Sequence, residues 1–403
     1  MFDVAVIGAG AAGYMAAITA KRSNPGLRVA IIEKTSKILA KVRISGGGRC
    51  NVTHNCHSIS ELSKAYPRGG SFLKKCFKSW KVQDTLDFFK ELGVEIYAQE
   101  DGRMFPTTDD SETIAQALEN ETKAIGVKLI TGESVKELEQ SEDHWLLHTR
   151  EQSIPSHKVI LAMGGFPKAR EYGFLEKLGV EIISPVPSLF SYNIYDTELR
   201  ELSGLSVPDA LVKIDGEKEW HQGAALVTHW GISGPAVLRS SAVHAVSLFE
   251  KEYNFTFRIN WLGISEASFD SAWIEKLETE KAKKMKNVGF DSIPQRLWEY
   301  ILLRSDINPE LVLMELSKAA KNKLKENLLQ MPYTAEGKTT FKEEFVTAGG
   351  IALSNINKNM EFKKLAGLYA CGEILNIDGI TGGYNFQAAW TTGYLAGLSA
   401  SSS

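Results

Sequence analysis

Cysteine is scarce: the 403-residue chain holds four, Cys50, Cys56, Cys76 and Cys371, and no pair has CxxC or zinc-finger spacing. That excludes a disulfide scaffold and gives no sign of a structural metal, and the sparse set suits a reducing compartment. No apolar run reaches the ~18 residues that a membrane helix needs, so no membrane partner is expected. No basic segment precedes the apolar Phe2-Asp3-Val4-Ala5-Val6-Ile7, so no secretory signal is read there and the expected location is the cytoplasm. Repeats and low-complexity runs are absent apart from Ser401-Ser402-Ser403. Net charge is also scarce, with 46 Lys+Arg against 49 Asp+Glu. As a total, −3 argues against a dedicated polyanion binder. The length fits two or three domains, each able to bury a core without metal or disulfide staples.

The distribution of charge tells more than its sum. From Lys34 to Lys81 there are eleven cations (Lys34, Lys37, Lys41, Arg43, Arg49, Lys64, Arg68, Lys74, Lys75, Lys78, Lys81) and one acid, Glu61. That segment is +10 and the rest of the chain −13.

The strongest local pattern is Gly8-Ala9-Gly10-Ala11-Ala12-Gly13. An apolar strand precedes it, and a helix of small residues follows to about Lys21. A second apolar strand, Val29-Ala30-Ile31-Ile32, then ends in Glu33. The order is that of a dinucleotide-binding βαβ unit. Gly8 makes the tight turn, Gly10 lets a pyrophosphate approach the backbone, and Gly13 lets helix and strand pack. The helix N-terminus at Ala11 and Ala12 faces the phosphates, and Glu33 accepts hydrogen bonds from a ribose, which favours FAD or NAD over NADP. No second GxGxxG is present, and a glycine-rich segment near the C-terminus stands where a flavin enzyme would close its site. Both observations favour FAD.

Two further segments carry the flavin reading. One is Lys41-Val42-Arg43-Ile44-Ser45-Gly46-Gly47-Gly48-Arg49-Cys50-Asn51-Val52-Thr53; the other runs from Gly372-Glu373 through Gly382-Gly383-Tyr384-Asn385-Phe386-Gln387 to Trp390. Together with Phe105-Pro106, Leu161-Ala162-Met163-Gly164-Gly165, Thr228 to Pro235 and Val346 to Gly350, they closely resemble the HI0933-like (BaiN-like) family of NAD(P)/FAD-dependent oxidoreductases. The resemblance implies an FAD site built from Gly8, Gly10, Ala12, Gly13, Glu33, Lys34, Lys41, Ser45 to Asn51, Val135, Ala162, Gly164, Gly372, Glu373, Gly382, Gly383, Asn385 and Phe386, with NAD(P)H as a transient electron donor. Glu373 then stands where related flavoproteins place an acid on the ribityl chain. A helix beginning near Asn385 or Phe386 aims its N-terminus at the flavin N1/C2=O edge. Gly46, Gly47 and Gly48 are read as a backbone nest for pyrophosphate or a flat seat for the flavin ring. Arg49 is open to phosphate, the flavin O2 or an anionic substrate. Cys50 is read as a packing residue because no resolving cysteine is near it, and Asn51 as a loop-fixing one. Catalytic residues are not identified; Arg49, Asn51 and His229 are the candidates.

The expected fold is α/β: a Rossmann-like FAD-binding domain on a doubly wound parallel sheet, interrupted by a β-barrel-like domain and a small helical one. Residues 1–190 and 343–403 form the FAD domain. Residues 191–264, with alternating strands at Leu211–Ile214 and Phe255–Ile259, form the β-rich insert. Residues 265–342 form the helical one, broken at Pro294, Pro309 and Pro332. Ser233-Gly234-Pro235 reads as a helix start, with His229 beside it as a candidate acid or base. The lysines at 281–284 and 318–325 read as solvated helix faces, with an RNA contact as the alternative.

Functionally, the leading reading is an FAD-dependent oxidoreductase acting on a small molecule that the sequence does not name. Its alternatives are a flavoenzyme reducing uridine in ribosomal RNA, which the +10 segment favours, a small-amine (aminoacetone-type) oxidase, and a flavin-binding redox sensor without turnover.

Overall fold

The computed structural model describes residues 1–339 and 346–402. The expected boundary at 342/343 lies outside them. The chain divides into two compact units, Met1–Val186 with Val346–Ser403, and Pro187–Phe345.

The first unit opens with β1 (Phe2–Ile7), α1 (Ala11–Ser23) and β2 (Val29–Glu33). Val4 to Ile7 and Val29 to Ile32 are buried on both faces, which is why they are continuous apolar runs rather than alternating ones. Next come α2 (Ala40–Gly48), β3 (Thr53–His54), α3 (Ile59–Lys64), α4 (Gly70–Cys76) and α5 (Val82–Glu91). Two strands follow, β4 (Ile96–Ala98) and β5 (Arg103–Pro106), and β3-β5-β4 form a small antiparallel sheet. The chain then runs through α6 (Ser111–Ala124), β6 (Lys128–Thr131), β7 (Glu137–Gln140), β8 (Trp145–His148) and β9 (Ser153–Leu161). Strands β6-β2-β1-β9 lie parallel in that order, and the β7–β8 hairpin adds antiparallel to β9. A short helix, α7 (Gly173–Glu176), leads to β10 (Ile182–Ser188).

The second unit contains β11 (Tyr192–Asn193), α8 (Thr197–Glu201), β12 (Ser206–Ile214), β13 (His221–Thr228), β14 (Gly231–Ser233), α9 (Pro235–Val243), α10 (Ala245–Glu250) and β15 (Asn254–Asn260). Three helices follow, α11 (Glu266–Glu280), α12 (Gln295–Arg304) and α13 (Lys318–Gln330), and then β16 (Met331–Glu336). Its strands run β11-β14-β13-β12-β15-β16. A bridge from Tyr192 to Lys338, just past β16, closes the sheet into a small barrel. The strict alternation of buried and exposed residues along β16 places one face of that strand in the barrel core. The helices share this core, through Phe269, Trp273 and Trp298 beside Trp261 and Phe257. Residues 265–342 are thus not wholly helical. Pro332 interrupts no helix but sits in β16 opposite Arg258, in a strand that pairs only with β15 along its length, where a missing N–H is tolerated. Pro235 begins α9, as its position after Gly234 suggested.

The chain then returns to the first unit as β17 (Val346–Ile351), which pairs with β10, β18 (Leu368–Ala370), which extends the parallel sheet beside β9, and α14 (Tyr384–Ser401). Helix α14 lies against α1 at Gly393 and Gly397. A Cβ on these glycines would stand 2.6 Å from the Ala12 carbonyl oxygen and 2.2 Å from that of Ala16, so only glycine allows this approach. Among the described residues no helix is long and apolar enough to cross a membrane.

Candidate functional site

The glycine loop after β1 is a backbone device. Gly8 has φ +111, and a Cβ there would meet the Ala162 carbonyl oxygen at 2.4 Å. One on Gly13 would fall 2.0 Å from the Gly8 carbonyl oxygen. Around Gly10, by contrast, nothing lies within 4 Å of a Cβ position, so the loop is closed on its inner side and open at Gly10. Gly10 is also the N-cap of α1 and supplies no side-chain cap. The first N–H groups of the helix therefore have no side-chain partner from the cap and stand beside open backbone at Gly10.

Glu33, at the end of β2, turns its carboxylate back to this loop. Oε2 accepts from the Ala9 N–H at 2.9 Å and Oε1 from the Thr35 N–H at 3.2 Å. Beside it, the Glu133 N–H bonds to the Glu33 carbonyl at 3.0 Å, which brings the 132–136 connection, with half-buried Val135, to the same strand end. Lys34 is exposed and makes no ion pair among the described residues.

On the other side of the loop stands the turn after β18. A Cβ on Gly372 would touch the Ala12 methyl at 2.7 Å. The Gly372 N–H donates to Thr392 Oγ1 on α14 at 2.9 Å. Glu373 accepts from the Thr347 N–H at 3.0 Å and pairs with Lys41 Nζ at 2.6 Å. The loop after β9 joins the group, because Gly164 opens onto free space and a Cβ on Gly165 would lie 3.1 Å from Glu373 Oε1. Gly8, Gly10, Ala12, Gly13, Lys41, Ala162, Gly164, Gly372 and Glu373 are thus brought together.

Helix α2 links this group to a second one. Its C-terminal part leaves the helix at Ser45 (φ −67, ψ 152), and Gly46, Gly47 and Gly48 all take left-handed φ. The three glycines thus make a left-handed turn. Cys50 also has positive φ (60), an uncommon conformation outside glycine. Its side chain is fully buried and burial pushes the thiol up to about 12, as a packing residue requires. Arg49 lies over the Phe105 ring at 4.1 Å and approaches Asp109 at 3.7 Å. Asn51 Oδ1 accepts from the Met104 N–H at 3.3 Å, and the same oxygen lies 2.8 Å from the Cβ position of Gly383, the N-cap of α14. The 45–53 motif therefore meets the start of α14 across some 330 residues of sequence. Two further bonds hold the seam: Thr53 Oγ1 donates to Gln387 Oε1 at 2.6 Å, and Trp390 Nε1 to the Val52 carbonyl at 2.9 Å.

Helix α14 begins at Tyr384, one residue before the expected start, because Gly383 in the left-handed region stands as N-cap. Asn385 does not face a ligand with its whole amide: Oδ1 accepts from the Gly379 N–H and Nδ2 donates to the Gly379 carbonyl, closing the preceding loop. Phe386 is half-buried and stacks on Trp390 at 5.8 Å. Sequence reading missed His54, whose ring stacks on Tyr384 at 4.5 Å with Nδ1 2.9 Å from the Gly382 carbonyl. It also missed the Arg68–Asp378 ion pair, in which the Asp378 carboxylate is fully buried. No local pattern marks either one, since each partner is more than 300 residues away. His229 lies in the second unit. It occupies the exposed turn between β13 and β14, and its carbonyl accepts from Arg200 Nε at 2.6 Å.

The four cysteines give a direct check on this packing. Cys50, Cys76 and Cys371 are buried, burial raises the thiol of each, and Cys56 is half-buried. Brief alkylation of the native protein is expected to modify Cys56 alone, and unfolding to expose all four, read by peptide mass spectrometry. Rapid native modification of Cys50 would contradict its buried place.

A parallel sheet with an open glycine loop, two glycine-capped helix N-termini and a carboxylate at each of two strand ends defines the class of Rossmann-type FAD-binding oxidoreductases. The HI0933-like protein Rossmann domain matches residues 2–399, and the chain belongs to the HI0933-like family. It is 29% identical over 412 residues to a 3-dehydro-bile acid delta(4,6)-reductase of Clostridium scindens, covering 99% of each chain. It is likewise 29% identical over 419 residues to a ribosomal RNA dihydrouridine synthase of Haemophilus influenzae, covering 98% of each. Among solved structures, a 3-ketosteroid-delta4-(5alpha)-dehydrogenase from Rhodococcus jostii shares the fold, with a TM-score of 0.54 at 13% identity, over 100% of this chain and 97% of that one.

Proposed function

We propose that the enzyme is an FAD-dependent reductase that saturates a carbon–carbon double bond conjugated to a carbonyl group, with NAD(P)H as donor. The cofactor part rests on the way Glu33, the α1 N-terminus, Glu373 and the α14 N-terminus are gathered around open backbone. In this reading Glu33 holds a ribose, and the N–H groups after Gly10 take the pyrophosphate, with Lys41 offering a cation. Glu373 meets the ribityl chain, and the α14 N-terminus stabilises negative charge at the pyrimidine edge. Bound FAD supplies the hydride chemistry; the chain binds it, orients it and tunes its field. The bond class is supported by two full-length relatives of unlike substrate. A 3-dehydro-bile acid delta(4,6)-reductase and a dihydrouridine synthase are both named for saturating a double bond in conjugation with a carbonyl.

The test is direct. The purified protein is expected to be yellow and to release FAD on denaturation, and NADPH or NADH is expected to bleach it anaerobically. A conjugated enone or a uridine-containing RNA should then restore the colour. Glu33→Ala is expected to weaken FAD retention about tenfold or more, since its ribose bonds are charge-assisted. Colourless protein that FAD cannot reconstitute, or full retention by the variant, sinks the cofactor assignment. Reoxidation by oxygen but by no conjugated acceptor sinks the bond class.

A further inference from the structure

His221 opens β13, opposite Val212 on β12, and His244 is the single residue between α9 and α10. Their Nε2 atoms stand 3.4 Å apart, although 23 positions separate the two in sequence. The rings cross at 76° instead of stacking, so nitrogens meet and not ring faces. Both are largely shielded from water: His221 is 9% exposed and the His244 side chain 11%. Both belong to the second unit, and the proposed flavin chemistry assigns them no part.

The spacing discriminates between two uses of such a pair. For a direct hydrogen bond 3.4 Å is long, beyond the roughly 2.7–3.2 Å of good N–H donors. For two ligands of one ion it fits, because metal–nitrogen bonds of about 2.0–2.1 Å at the tetrahedral angle set the nitrogens about 3.3–3.4 Å apart. The other ring nitrogen of His244, Nδ1, faces Glu217 Oε1 at 3.8 Å. That carboxylate favours the proton on Nδ1 and leaves the Nε2 lone pair directed at His221. A ligating imidazole is oriented by a carboxylate in the same way. Burial also pushes both imidazoles below their ordinary range, toward the neutral form that ligates. The charges acting on the pair are balanced: Glu217 and Glu219 on the β12–β13 connection, Arg239 on α9 and Lys251 after α10. Arg239 is turned to the strand, with Nη1 donating to the Gln222 carbonyl at 2.8 Å.

We infer that His221 and His244 form a two-histidine site for a borderline transition-metal dication, Zn²⁺ or Cu²⁺, which clips β13 to the α9–α10 turn. Neutral imidazole suits these ions, whereas Mg²⁺ and Ca²⁺ prefer oxygen ligands. Among the described residues no group of three histidine, cysteine or carboxylate side chains is set for a metal, so water fills the remaining positions. The site is invisible to spacing rules, since its ligands come from a strand and from a turn beyond the next helix.

The test uses the full-length, flavin-loaded protein, stripped with a chelator and then dialysed against micromolar zinc chloride alone. Bound metal is counted by elemental mass spectrometry. Wild type is expected to take up one Zn²⁺ per chain, to bind Cu²⁺ more tightly, and to leave Mg²⁺ unbound at the same concentration. His244→Gln and His221→Gln are each expected to weaken zinc binding at least about tenfold, and Glu217→Gln, which only orients His244, by about tenfold. A control, His148→Gln, removes a histidine beside Glu139 in the first unit and is expected to bind as wild type. Circular dichroism and flavin content check the fold of each variant. Should the buried His221→Gln fail to fold, His244→Gln, at a turn, carries the test. Wild-type protein that takes up no zinc, or a folded His244→Gln with wild-type zinc affinity, overturns the inference.

Discussion

Gly13→Val is expected to abolish flavin binding and to lower stability by more than the about 1–3 kcal/mol usual for overpacking. The cause is geometric. A Cβ at position 13 would lie 2.0 Å from the Gly8 carbonyl oxygen and 3.4 Å from the Ala162 methyl. The obstructing atom is main chain, at the turn joining the central strand to α1, and no rotamer change can clear it. Relief would require α1 to shift, and with it α14, which lies on α1 at Gly393 and Gly397. Gly10→Ala, three residues earlier, separates fold from cofactor. Its φ of −97 suits any residue, and nothing stands within 4 Å of the new methyl. That variant is expected to keep the thermal stability of the apoprotein while flavin absorbance per protein falls sharply. Equal flavin content in Gly10→Ala and wild type would place the pyrophosphate elsewhere. A normally folded Gly13→Val would show that the loop tolerates a side chain where the geometry leaves no room.

The second large effect is expected at Asp378. Its carboxylate is fully buried against Arg68, itself only 16% exposed, and the pair fastens the 376–383 loop to the α3–α4 connection. Asp378→Ala leaves a guanidinium in a poorly solvated place without its carboxylate, a change that typically destabilises by about 3–5 kcal/mol. The loop it frees leads into Gly382 and Gly383, so flavin retention is expected to fall as well. Replacing both partners with apolar residues of similar size, Arg68→Met/Asp378→Leu, is expected to recover much of the stability lost in Asp378→Ala. Denaturant midpoints of the three proteins check this; an Asp378→Ala midpoint equal to wild type would show that the pair contributes little.

Much of the first βαβ unit was legible because its physics is local. The turn at Gly8, the opening at Gly10, the close approach at Gly13 and the acid ending β2 are set by residue types a few positions apart. The buried place of Cys50 was legible too, from the absence of a partner thiol. What could not be read were contacts between distant segments. Asn51 against Gly383, His54 on Tyr384, Lys41 on Glu373 and Arg68 on Asp378 join residues more than 300 positions apart; the motifs marked Lys41, Asn51, Glu373 and Gly383 singly, but nothing local says which residue meets which. The three glycines were read as a pyrophosphate nest or a flat seat for the flavin ring; their run of left-handed φ could not be foreseen, because glycine permits many backbones and composition alone does not choose. In the second unit, β16 escaped notice because Pro332 looked like a helix stop, yet an edge position accommodates the missing donor.

The second unit leaves the first after β10 and re-enters it at β17, and these two strands are hydrogen-bonded neighbours. An excursion of this length whose two ends are side by side is a cassette with one point of attachment. Such a cassette can be enlarged, remodelled or exchanged over evolutionary time without re-registering any strand of the parallel sheet or moving the glycine loop. This gives a structural route by which one lineage can keep its glycine loop while its members carry names as unlike as 3-dehydro-bile acid delta(4,6)-reductase and ribosomal RNA dihydrouridine synthase.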